Sequence, residues 1–135
     1  MSNPKNLQKY WLRSVCLSVV IILVVGGITR LTGSGLSMVD WRPIAGILPP
    51  ITDAQWDDVF GMYQASPEYQ KVNKGMSLDE FKFIFFWEYL HRILGRIVGL
   101  LCLVPFLWFL LRGKLSGEMK VKGLCLNILV ITQGL

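Results

Sequence analysis

Four ionisable side chains lie at the start of an apolar stretch that is long enough to cross a membrane. They are Glu88, His91, Arg92 and Arg96. Ionisable groups at or inside a bilayer are costly, and they usually face a protein interior, a cavity or a bound group. His91 is the only histidine of the chain, so any imidazole chemistry must use it. These four residues are therefore the candidate functional positions.

The spacing of the four residues places them on one face of the predicted helix. Residues three and four apart in a helix lie on the same side. Two glycines, Gly95 and Gly99, fall in the middle of that face. A polar stripe with a flat centre can accept a large planar ligand, and it can also let another helix pack closely through the Gly-x-x-x-Gly pair. The spacing alone leaves both interpretations open.

His91 itself has three interpretations from its surroundings. It is a satisfied interfacial histidine, a proton carrier, or an axial ligand to haem iron. The nearby Arg92 and Arg96 favour haem, because haem propionates are anionic and pair well with arginine. Glu88 lies about one turn before His91, where it either pairs with Arg92 or acts at the reacting edge of a bound substrate.

The elements that carry these residues are predicted to be membrane-spanning helices. Hydrophobic residues make up 53% of the chain, which is high for a soluble domain. Apolar runs predict spans at about residues 11–28 and 83–111, separated by an outer loop at about 29–82. A loop at 112–122 precedes a third apolar run, 123–135, which we expect to be a helix truncated by the end of the sequence. The expected fold is an all-α membrane protein, a transmembrane helical bundle.

The distribution of charge predicts the orientation of these spans. Basic residues flank the two runs on one side of the membrane, and the loop between the runs carries more acidic than basic residues. The positive-inside rule then places the N-terminus and the loop at 112–122 in the cytoplasm.

Nucleic-acid binding is a poor explanation of the net charge of +5, because no basic face with interleaved aromatic residues is present.

The outer loop contains two signals of local structure. Residues 53–63 have the apolar spacing of a short amphipathic helix, with Thr52 or Asp53 as N-cap. Ser77 and Glu80 have the spacing of a capping box that can begin the second spanning helix.

The three cysteines, Cys16, Cys102 and Cys125, all lie in apolar segments and none is in the outer loop. We therefore expect small buried apolar residues at those positions and no structural disulfide in the loop.

Several long motifs resemble the haem A synthase family. Residues 26–38 (GGITRLTGSGLSM), Trp41-Arg42-Pro43 and Pro49-Pro50 are similar to its first outer loop. Ser66-Pro67-Glu68-Tyr69 and residues 80–96 (EFKFIFFWEYLHRILGR) are similar to the motif of its second helix. The resemblance covers essentially the whole chain in order.

The resemblance implies a fold and an activity. Family members have eight transmembrane helices in two similar four-helix halves, and each half holds a haem site with a pair of histidines. The implied reaction oxidises the methyl group at C8 of haem O to a formyl group, giving haem A for cytochrome c oxidase. His91 matches the histidine that ligates haem b iron in the first half, and Glu88 matches the carboxylate beside it, with Arg92 and Arg96 on the cofactor side. The second histidine of this half is expected beyond Leu135.

The chain departs from one branch of the family, which carries a cysteine pair in the outer loop. It therefore resembles the proteobacterial and mitochondrial branch, and a thiol-based role for the loop is in doubt. No Arg-rich presequence precedes the first span, which favours a bacterial inner membrane over a mitochondrial one. The implied partners are haem O as substrate, the lipid bilayer, haem O synthase, oxidase assembly proteins and a second copy of the chain.

Two other functions remain as alternatives to the enzyme. One is a membrane electron-transfer protein that binds b-type haem, and the other is a non-catalytic factor in oxidase assembly. Haem ligation by His91 does not separate the first alternative from an enzyme. Glu88 favours the enzyme, because a simple b-type cytochrome has no need of a carboxylate one turn from the ligand.

Overall fold

The regular secondary structure of the described residues is all α-helical. The computed structural model describes residues 4–40 and 48–134, and these residues form no strand. The helices are α1 (Pro4–Leu31), α2 (Asp53–Gln64), α3 (Pro67–Lys71), α4 (Leu78–Leu111) and α5 (Gly117–Gly134). The Trp41-Arg42-Pro43 motif lies outside the described residues. The prediction of an all-α fold is confirmed.

Two of the helices are long and apolar enough to cross a membrane. These segments are Asn6–Leu31 and Leu78–Leu111, and each exceeds the length of about 20 residues that a span requires. Both contain a predicted span, and both helices extend beyond it at the N-terminal end. The division of the chain into spans and loops, including a third span at 123–135, stays a prediction.

Capping boxes begin two of the described helices. The sequence predicts the box at α4, whereas for α2 it predicts an N-cap at Thr52 or Asp53 but not the box. At the start of α4, the Ser77 amide donates to Glu80 Oε2 over 2.8 Å, and the Glu80 amide donates to Ser77 Oγ over 3.3 Å. Thr52 and Gln55 form the same reciprocal pair at the start of α2. Such pairs satisfy backbone N–H groups that have no partner within the helix. They explain why α4 begins at Leu78, before the apolar run itself.

The chain forms two compact units. The first unit contains the described residues of Met1–Leu23 and Leu94–Leu135, and the second contains those of Val24–Ile93. In the first unit, Trp11 is buried and its indole N–H donates to the Leu101 carbonyl over 2.8 Å.

The three cysteines all belong to the first unit and are free thiols. Cys102 is buried as expected, whereas Cys16 and Cys125 are exposed, in contrast to the expected burial.

An aromatic core organises the second unit. Its buried members are Tyr63, Phe81, Ile84 and Phe85. The rings of Tyr63 and Phe81 stack with their centroids 4.9 Å apart, and Trp56 meets Phe85 edge-on at 5.2 Å. Aromatic pairs at these separations add to the free energy of burial. This core packs the outer-loop helices onto the first turns of α4, directly before Glu88 and His91.

Candidate functional site

His91 lies against the backbone of α1 inside the second unit. The contact is with Gly26, where an added Cβ would lie only 2.9 Å from His91 Cε1 and 3.3 Å from Nδ1. Any other residue at Gly26 would therefore collide with the imidazole. The neighbouring Thr29 donates its hydroxyl to the Trp87 carbonyl of α4 over 3.2 Å, so a side-chain hydrogen bond joins the same two segments.

An open groove of about 420 Å³ lies beside this contact. Its wall is formed by Gly26, Thr29, Arg30, Gly33, Gly35, Leu36, Glu68 and His91. Gly26 and Arg30 are four residues apart on α1 and so lie on the same face of that helix. The groove therefore combines one imidazole, one cation and one carboxylate with a glycine-rich wall that leaves room for a ligand.

Two polar atoms in the part of α4 that belongs to the second unit are buried without a hydrogen-bond partner among the described residues. They are Trp87 Nε1 and His91 Nδ1, which belong to residues one turn apart. Native proteins rarely leave buried polar atoms unpaired. These atoms therefore mark this part of α4 as a face that is suited to a further polar or coordinating group.

Glu88 is held by a dense set of hydrogen bonds. Its carboxylate is buried, and Oε2 accepts from Ser37 Oγ over 2.7 Å and from the Met38 amide over 2.8 Å. Oε1 accepts from Arg92 Nε over 3.0 Å, and Arg92 Nη2 contacts the same oxygen. A carboxylate has room for about four such bonds. The carboxylate thus joins the beginning of the outer loop to α4 as a fixed anion.

The structure pairs two of the four predicted site residues with each other and gives His91 and Arg96 different surroundings. Glu88 and Arg92 pair with each other, and Arg92 Nη2 also donates to the Met38 carbonyl over 3.3 Å. His91 does not join this network; it lines the groove. Arg96 belongs to the first unit, where its Nη1 is buried without a hydrogen-bond partner in the described chain.

Of the two interpretations of Gly95 and Gly99, very close helix packing is not found among the described residues. A Cβ at Gly95 would make ordinary contact with Ile22 at 3.7 Å, and Gly99 has open space around it. In the first unit the close approach occurs at Gly123 instead, where a Cβ would lie 2.5 Å from the Phe106 ring. A methyl group added at Gly99 would therefore meet no neighbour among the described residues.

Sequence reasoning missed Gly26, Arg30, Ser37 and Met38 as site residues. All four lie in the motif at 26–38, which was used only for its resemblance to a family. The clustering of glycine, serine and threonine in that motif was the available signal, because small residues permit close approach and hydroxyls serve as donors. No cluster of three or more metal-ligating side chains is present among the described residues.

Comparison with known proteins supplies a family. Residues 9–135 match the family described as cytochrome oxidase assembly protein. The chain is similar to the heme A synthase of Rhodopseudomonas palustris (strain BisA53), with 53% identity over 119 residues, which is 88% of this chain and 33% of that relative. It is also similar to the heme A synthase of Brucella ovis, with 48% identity over 130 residues, 96% of this chain and 36% of the relative. The chain spans about a third of the length of these curated relatives. No solved structure matches it.

Proposed function

Because the chain belongs to the cytochrome oxidase assembly protein family, we propose that it is the N-terminal part of a haem A synthase. The complete enzyme would oxidise the C8 methyl group of haem O to a formyl group, and cytochrome c oxidase would use the resulting haem A. Similarity to relatives named heme A synthase over most of the chain supports this proposal. The observation that carries it is the position of His91, the only imidazole, beside an open groove that also contains a cation.

His91 is the proposed axial ligand of a haem b in this half of the enzyme. A haem needs only one or two ligands from the protein, because the macrocycle supplies the others. The residues present fit such a group: His91 borders the groove, and its Nδ1 is buried without a hydrogen-bond partner among the described residues. When bound, the haem supplies the one-electron and oxygen chemistry that protein side chains lack.

The proposed partner of a haem propionate in the groove is Arg30. Arg30 lies on the groove wall with His91, and arginine forms strong, bidentate hydrogen bonds with carboxylates. Arg92 is less available than the sequence suggests, because Glu88 and the Met38 carbonyl already accept its N–H groups. Arg96, which has an unpaired buried Nη1, keeps its proposed role toward the cofactor in the complete protein.

Glu88 is proposed to act as a fixed negative charge rather than as a mobile base. Its hydrogen bonds with Ser37, Met38 and Arg92 hold the carboxylate in one position. Preorganised charges stabilise charge that develops during a reaction without a cost of reorganisation. The same network suits a purely structural role, which is the role expected in a b-type electron-transfer protein or an assembly factor.

The proposed location is a bacterial inner membrane, with the N-terminus in the cytoplasm. Basic residues before α1 and after α4 support this orientation under the positive-inside rule. Haem O would then meet the groove near the outer surface of the bilayer. Haem O synthase and oxidase assembly proteins are the proposed protein partners.

The test uses the full-length protein in a strain that lacks its own haem A synthase. Wild-type protein should restore haem A in extracted membranes, and His91→Ala should abolish it together with one bound haem. Membrane protein level, measured by immunoblot, controls for misfolding. Wild-type protein that binds haem but makes no haem A would support the b-type cytochrome, and wild-type protein that does neither would support an assembly factor. Unchanged haem content in His91→Ala would remove His91 as the ligand.

A further inference from the structure

Gly26 occupies a position where the backbone does not require glycine. It lies within the regular helix α1, and the described glycines with positive φ are Gly33, Gly75 and Gly113. Glycine inside a helix weakens it relative to alanine. The conformation of α1 therefore gives no reason for glycine at this position, and the reason must lie in what surrounds it.

The closest neighbour of Gly26 outside α1 is one side chain. The three nearest atoms to an added Cβ all belong to the His91 ring: Cε1 at 2.9 Å, Nδ1 at 3.3 Å and Nε2 at 3.8 Å. The side of the ring that carries both nitrogens thus lies closest to α1. Gly27, the next residue, has nothing within 4 Å of its added Cβ. The tight contact is specific to Gly26 and His91.

Packing, rather than a hydrogen bond at Nδ1, holds the imidazole on this side. His91 Nδ1 is buried and has no hydrogen-bond partner among the described residues. Metal-binding histidines are usually oriented by such a bond from the second nitrogen. Here the backbone of Gly26 forms the surface against which the ring rests, so the residue at this position controls how far the ring can turn.

We propose that Gly26 is a positioning residue for His91, which sets the plane of the imidazole by allowing it to rest directly on the α1 backbone. This inference depends on the proposed role of His91 as an axial ligand of haem. A methyl group at Gly26 would push the ring away from α1 or rotate it. The axial bond to iron would then be tilted or lost, although α1 itself would form at least as readily.

The experiment compares Gly26→Ala with Gly27→Ala in the full-length protein. Both changes replace glycine by a better helix former, but only the first meets His91. Haem content and the g values of low-spin haem in electron paramagnetic resonance are measured, because the g values report the orientation of axial imidazole planes. Gly26→Ala should lose haem or shift the g values, and Gly27→Ala should match the wild type. Equal spectra and equal haem content in both variants would overturn the positioning role.

A second comparison uses His91→Ala as background, where the ring that Gly26 contacts is absent. On the wild-type background, Gly26→Ala should lower the thermal midpoint relative to Gly27→Ala. On the His91→Ala background this difference should disappear, since mutations that act through one contact are not additive. A difference that persists would show that Gly26 acts through another residue. If His91→Ala alone leaves haem unchanged, the ligand assignment fails; if it removes haem while Gly26→Ala has no effect, only the positioning role fails.

Discussion

Half-buried Arg92 and buried Glu88 form an ion pair across one turn of α4, and the pair holds the beginning of the outer loop. Arg92 occupies Oε1 of the carboxylate, which leaves Oε2 to accept from Ser37 and from the Met38 amide. Removing one partner of a buried ion pair leaves an uncompensated charge and is strongly destabilising. Any test of Glu88 must therefore separate its charge from its structural bonds.

Glu88→Gln should reduce haem A formation by more than it reduces haem content. Glutamine keeps the size of the side chain but removes its charge and turns one acceptor into a donor. The new NH2 group would face side-chain and backbone donors that now bond the carboxylate. This mismatch should lower the stability of the fold by about 1–3 kcal/mol. Haem A and bound haem are measured in the same membranes. The matched control is Ser37→Ala, which removes one hydrogen bond to Oε2 and keeps the charge. A purely structural carboxylate would make haem A, haem content and protein level fall in parallel in both variants.

Gly123→Ala should destabilise the first unit, whereas Gly99→Ala should not. A methyl group at Gly123 would lie 2.5 Å from the buried ring of Phe106, but Gly99 has open space. Overpacking of this kind typically costs about 1–3 kcal/mol, and alanine at an open helical position gains up to about 1 kcal/mol. Thermal unfolding in detergent would measure both. Equal thermal unfolding midpoints in the two variants would mean that the Phe106 ring moves away from the added methyl group without loss of stability.

Tyr63 should make the second unit sensitive to alkaline pH. Burial raises the pKa of its phenol above the usual 10.0, although the hydrogen bond from Asn73 opposes this. The folded state therefore retains the proton where the unfolded chain has lost it. The stabilisation from the neutral phenol is complete below pH 10.0 and is lost as the pH rises further.

Tyr63→Phe removes this titration, so alkaline unfolding of the second unit should move to higher pH. At neutral pH the same variant should lose about 1 kcal/mol, because Asn73 no longer has the phenol as its partner. Tryptophan fluorescence reports the transition, since Trp56 packs in this core. Tyr10→Phe is the control, as Tyr10 is exposed, and it should leave the transition unchanged. A Tyr63→Phe transition at the wild-type pH would contradict the assignment.

Single cysteines should report the orientation of the chain. In a background without native cysteines, Asp57→Cys places a thiol at an exposed position of α2. Lys120→Cys places one at an exposed position of α5. A membrane-impermeant maleimide added to spheroplasts should label the first and should label the second only after lysis. The reverse pattern would invert the proposed orientation and move the His91 groove to the cytoplasmic side.

Local features of this protein were determined by the sequence. Hydrophobic runs located the two long helices. The Ser77–Glu80 spacing and the N-cap signal at Thr52 or Asp53 located the starts of α4 and α2. The helices begin before the apolar runs, because hydropathy reports the part suited to lipid and caps report where the helix begins. The shared helix also placed Glu88 near His91, because that relationship depends only on the helical period.

The partners of these residues were decided by tertiary structure. Glu88 bonds Ser37 and Met38, and His91 rests on Gly26, across sequence separations that no local period describes. From the sequence, Gly95 and Gly99 were the candidate sites of close packing. In the structure a neighbouring side chain comes closest to the backbone at Gly26 and Gly123. A glycine permits close approach by its lack of a side chain, but which neighbour fills that space depends on how the whole unit packs.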